Sequence, residues 1–183
     1  MGARTVVLAE IVARVRASEP QLGSTKLVAI DGPGGAGKST LAAQLAREFD
    51  APVVPTDSFA SWDNTLNWWP RLETEVLEPL GRDALARYQR YDWDQRGLAE
   101  WHEIAPGGVV VLEGVSSSRA AVRPRLSLSI WVDTPRSLRL TRGLERDGTS
   151  ALPLWEQWMA DEDTHFAADN TRAHADLIIS GTT

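Results

Sequence analysis

Residues 32–39 read Gly-Pro-Gly-Gly-Ala-Gly-Lys-Ser, a complete G-x-x-x-x-G-K-[ST] pattern whose chemistry is phosphate binding. Its glycines let successive backbone N–H groups turn inward as an anion nest. A helix starting near Lys38 aims the positive end of its dipole at the same point. Gly32, Gly34, Gly35, Ala36, Gly37, Lys38, Ser39 and Thr40 are therefore the expected nucleotide contacts. Lys38 is expected to reach the β- and γ-phosphates, and the Ser39 hydroxyl to coordinate Mg²⁺. The chain has 14 glycines, and Lys26 and Lys38 are its only lysines. A chance match is then on the order of 0.002 per chain, which favours a nucleoside triphosphate site over a glycine turn beside a lysine.

Three further groups have the right chemistry for phosphoryl transfer. Asp57 follows a short apolar stretch at 52–55, and in-line transfer needs a carboxylate to accept the acceptor hydroxyl's proton and aim its oxygen; the same Thr56-Asp57-Ser58 would also suit a turn cap. Glu113 ends an apolar run, where a buried carboxylate calls for a cation or donors, although a Glu-Gly turn facing solvent reads equally. Arg139, Arg142 and Arg146 are three and four apart, so they share one helix face. Such a face either clamps phosphates or is merely solvated.

These residues need elements to hold them. Val7, Leu8, Ile11, Val12 and Val15 recur at helical spacing over 5–17. Leu27–Ile30 is a short strand ahead of the glycine loop, and Leu41, Leu45 and Phe49 lie four apart on a helix after it. Further strands are expected at 52–55, 108–112, 128–132 and 177–179, with helical segments near 70–80, 98–103, 135–146 and 153–168. Strands alternating with helices predict an α/β fold, three layers around a parallel sheet of about five strands. The stretch 58–101 is the least regular, and long irregular connections tend to be functional.

Composition removes other classes. The chain has 183 residues, enough for one domain with its own core, and no cysteine, so neither disulfides nor thiolate chemistry apply. A net charge of -6 argues against a nucleic-acid partner, which normally meets a basic face. No apolar run reaches membrane-spanning length and the N-terminus lacks a signal pattern, so a cytoplasmic protein is expected. A homo-oligomer stays open. No Asn-Lys-x-Asp guanine motif or Leu-Ser-Gly-Gly-Gln signature accompanies the loop, which leaves mostly small kinases.

In this setting the chain resembles uridine kinase-type P-loop kinases over about residues 26–180. The resemblance rests on Asp31-Gly32-Pro33, Asp57-Ser58-Phe59, Glu113-Gly114, Val132-Asp133-Thr134, the arginine helix and Ala175-Asp176-Leu177-Ile178-Ile179, in family order. It implies a single P-loop kinase domain over 1–183, with an acceptor-binding insertion at about 58–101. It also implies Mg-ATP as donor and a small hydroxyl compound, most simply a nucleoside, as acceptor. Asp57 would be the base, Glu113 the acid assisting Mg²⁺ with Ser39, and Arg142 and Arg146 the lid arginines that act with Lys38. Tyr91-Asp92-Trp93 resembles the family's Tyr-Asp-Phe segment, so Phe59, Tyr91 and Asp92 join Asp57 as expected acceptor contacts. Five residues after that tyrosine uridine kinases carry histidine and this chain has Arg96, which would suit an acceptor bearing phosphate or carboxylate. A nucleoside monophosphate kinase, or a non-catalytic ATP-binding regulatory protein, is the alternative. Trp62, Trp68, Trp69 and Trp93 with Tyr88 make the insertion aromatic, either a stacking cleft or else the insertion's own core or a dimer contact.

Overall fold

The computed structural model describes residues 2–61 and 64–182, with side chains from Val7 onward. Trp62 lies outside the described residues. Helix α1 (Gly2–Ala17) precedes strand β1 (Lys26–Asp31), which runs through the glycine loop into α2 (Lys38–Phe49). β2 (Val53–Pro55) ends in a tight 3-10 turn, Thr56–Ser58. A helical stretch follows, α3 (Trp69–Leu72) and α4 (Glu78–Gly81) joined through a π turn at Glu73–Leu77. Next come β3 (Ala86–Asp92), β4 (Gly97–Ile104), β5 (Val109–Glu113) and β6 (Leu126–Asp133). α5 (Arg136–Asp147), α6 (Leu152–Asp169) and β7 (Leu177–Ser180) complete the chain.

Five strands form one parallel sheet in the order β2-β5-β1-β6-β7. β1 and β5 are buried on both faces, which explains their unbroken apolar runs. Alternate side chains feed two cores. Val28, Ile30, Val111 and Ile130 pack with Ile11 and Val15 of α1 and Leu41 and Leu45 of α2. Leu27, Val54, Val110 and Leu112 pack on the opposite face with Leu72, Leu77, Leu80, Phe59 and Tyr88. The α/β sandwich is as expected, and the order of its strands brings the carboxyl ends of β1, β2 and β5 side by side, where such sheets bind ligands.

The stretch 58–101 is more regular than its sequence suggests. β3 and β4 form an antiparallel hairpin, with Tyr91 opposite Leu98 and Gln89 opposite Trp101, so the helix expected at 98–103 is a strand. Leu98 and Trp101 are three apart and imitate helical spacing, but pairing with β3 overrides that local signal. Asp92 makes the turn: its Oδ1 accepts the N–H groups of Asp94 and Gln95 at 3.0 and 2.9 Å, an Asx turn.

Candidate functional site

The phosphate loop and the ends of β2 and β5 open onto a cleft of about 860 Å³. Gly34 to Thr40 form its floor, Asp57, Glu113 and Trp93 border it, and α5 and α6 supply Arg142, Arg146, Trp155 and Trp158. Gly114 makes the β5 end possible: with φ +138°, it lies so close to Thr56 that any side chain would collide with it. Glu113 and Asp57 therefore flank one point, and the Asp57 charge bears on the Glu113 carboxyl.

Lys38 is buried and its Nζ donates to Pro33 O at 2.9 Å, curling the side chain back over the loop. Ser39 Oγ donates to Glu113 Oε1 at 3.3 Å. Burial pushes the Glu113 carboxyl above its ordinary range, against the pull of the Lys38 ammonium. One hydroxyl and one carboxylate beside a phosphate site fit Mg²⁺, which keeps several waters and takes other ligands from the phosphates. No group of three or more acidic, histidine or cysteine side chains forms a metal cluster among the described residues.

Asp57 is exposed on the 3-10 turn and borders the cleft, and its backbone carbonyl accepts the Trp93 indole N–H at 3.0 Å. Arg142 donates to Gly35 O at 3.2 Å and Gly181 O at 3.0 Å, so it is braced against the loop. Arg146 is exposed, paired with Asp147 at 2.7 Å and laid over the Trp155 ring. Arg139, the third arginine of that face, is buried against Glu162 instead.

Several expected contacts lie elsewhere. Gly32 is buried and its N–H is taken by Asp31 Oδ1 at 2.7 Å, so it shapes the loop from beneath. Phe59 is 4% exposed and stacks among Trp68 and Tyr88 as core. Asp92 is occupied by the hairpin turn and by Arg90 at 3.0 Å. Arg96, at φ 52°, sits exposed in that turn, outside the cleft lining. Tyr91 meets Trp93 edge-on at 5.5 Å and backs it without bordering the cleft. Trp155 and Trp158 are the residues the sequence reading missed. They are three apart on α6, a face that reads as core until Trp155 is seen packed directly on Gly143.

No family model matches the chain. Its sequence is 27% identical over 181 residues to the uridine kinase of Borrelia hermsii and 28% identical over 182 residues to that of Salmonella paratyphi B. Each match covers 84% of this chain and 85% of the relative. Two solved structures, both named provisionally, share the fold. A uridine kinase from Bacillus stearothermophilus superposes with a TM-score of 0.67 at 16% identity, covering 96% of this chain and 99% of that one. A fructose transport system kinase from Silicibacter gives 0.68 at 20%, covering 95% and 97%. The sequence is uridine kinase-like and the fold is that of P-loop kinases.

Proposed function

We propose that this protein is an ATP-dependent phosphotransferase that moves the γ-phosphoryl group of Mg-ATP to a hydroxyl of a small, nucleoside-like molecule. The observation that carries this reading is a single cleft in which a phosphate loop faces Asp57 on one side and two arginines on the other. The likeness to uridine kinases supports the same acceptor class.

Loop N–H groups between Gly35 and Thr40 hold the phosphates, Gly34 N–H being engaged by Glu162, and Lys38 keeps Pro33 O while its remaining N–H groups reach the β- and γ-oxygens. Asp57 accepts the acceptor hydroxyl's proton and aims its oxygen at the γ-phosphorus. Arg142 and Arg146 meet the negative charge spread over the transferring group, which guanidinium forks suit. Ser39 and Glu113 hold Mg²⁺, which when bound neutralises phosphoryl oxygens. Trp93, which borders the cleft, is the insertion's contribution to the acceptor pocket. A reaction drawing on ATP fits a cytoplasmic protein.

ADP release from Mg-ATP, measured with nucleosides, nucleoside monophosphates, sugars and vitamin-like alcohols in turn, tests this. Acceptor-dependent release identifies the substrate class. ATP binding without turnover across the whole panel would instead support a regulatory ATP-binding role.

A further inference from the structure

α6 carries a carboxylate, Glu162, that is 1% exposed. Such burial is unfavourable unless partners compensate it, so the identity of its partners says what it is for. Both of its hydrogen bonds fall on Oε1. Gly34 N–H of the phosphate loop donates at 2.8 Å, and the Trp158 indole N–H donates to the same oxygen. Arg139 is the nearest cation, its Nη1 3.6 Å from Oε2, yet neither of those atoms makes a hydrogen bond. A side chain serving only as a counter-ion for Arg139 would turn an oxygen onto the guanidinium; this one is turned toward the loop.

The Gly34 N–H belongs to the peptide unit whose carbonyl, Pro33 O, receives Lys38 Nζ at 2.9 Å. A peptide unit is planar, so an acceptor that fixes its N–H also fixes the direction of its C=O. Glu162 thus grips one edge of the plate and Lys38 rests on the other. We infer that Glu162 is a positioning residue for Lys38: from α6, and through the Pro33–Gly34 peptide, it sets where the lysine ammonium sits over the phosphate loop. Trp158 orients the carboxylate, and the same contact ties α6 to the loop. This inference rests on the phosphate-loop part of the function proposed above and is independent of the acceptor.

Direct titration of Mg-ATP into wild type, Glu162→Ala, Glu162→Gln and Lys38→Ala, and into the Lys38→Ala/Glu162→Ala double variant, tests it. The titrations are run where circular dichroism shows every protein folded. Glu162→Ala removes the acceptor and is expected to weaken ATP binding about tenfold, the scale of one lost phosphate contact. Glu162→Gln keeps a carbonyl acceptor for Gly34 while losing the charge beside Arg139. It is expected to melt earlier but to bind ATP within about twofold of wild type. In the Lys38→Ala background the Glu162→Ala substitution is expected to add nothing, because its effect runs through the lysine. Full additivity in the double variant, unchanged ATP affinity in Glu162→Ala, or equal loss in Glu162→Gln would each overturn the inference. None of these outcomes depends on finding an acceptor, so failure of the phosphotransfer reading is seen separately.

Discussion

On the proposed reading, Lys38 serves the donor, Asp57 the chemistry and Trp93 the acceptor. Trp93 borders the cleft while its indole N–H holds the Asp57 carbonyl at 3.0 Å, so it both lines the cleft and steadies the turn carrying the proposed base. Trp93→Ala is expected to raise the acceptor KM by at least about tenfold, with ATP affinity within about twofold, as steady-state kinetics with each substrate varied will read. Much of the site was legible at this scale. Lys38, Ser39 and Glu113 have side chains that stand out in a glycine loop or at the end of an apolar strand, and the cleft assembles around them. Arg96 lies outside the cleft lining because counting along the chain from Tyr91 ignores the hairpin turn, where residue 96 takes a left-handed backbone. Glu162 was illegible: an acidic residue within Asp161-Glu162-Asp163 reads as solvated, and only the packing of α6 shows that the middle one is buried while Asp163 is exposed.

Among the elements, the parallel strands were read correctly because each is short, apolar and bounded by turn residues. The hairpin was not, because half of β4 is exposed and it carries Leu98 and Trp101 at a helix-like interval. Its strand character comes from β3, a partner that local sequence does not announce. The insertion is also fastened to the sheet by a feature outside the cleft. Asp83, just after α4, accepts both the N–H and the hydroxyl of Ser24, each at 2.7 Å. The Ser24 hydroxyl, then its N–H, holds the Asp83 carboxyl below the ordinary carboxylate range. A depressed carboxylate contributes stability above its unfolded pKa and loses it as pH falls through the folded one. Asp83→Asn, which tolerates the left-handed backbone at φ 55°, is therefore expected to melt below wild type at neutral pH. The gap between the two melting temperatures should close as pH drops through the acidic range; a gap independent of pH would refute the charge-based tie.

At the scale of the whole molecule, two cores sandwich one sheet and the cleft lies along its carboxyl edge, roofed by α5 and α6. Ligand binding there joins the loop, the sheet edge and the roof, so it should stabilise the entire fold. At a hundred times its Kd, Mg-ATP is expected to add about 2.7 kcal/mol, a rise in melting temperature of roughly 5 to 10 °C for a chain of this size. Lys38→Ala should lose most of that rise, and differential scanning calorimetry will register both. Trp155 on Gly143 joins the two roof helices, and Arg142 on Gly35 and Gly181, with Glu162 on Gly34, joins the roof to the loop beneath. This closure was not readable from periodicity, because it depends on which helix meets the loop.

Asp57 and the phosphate loop are proposed to form one reaction centre for phosphoryl transfer. The direct measurement is Asp57→Asn, with Mg-ATP affinity and acceptor-dependent ADP release determined on the same preparation. ATP affinity is expected within about twofold of wild type and transfer lowered by about a thousandfold, the scale expected when a positioned general base is lost. Normal transfer by the variant would contradict the proposal.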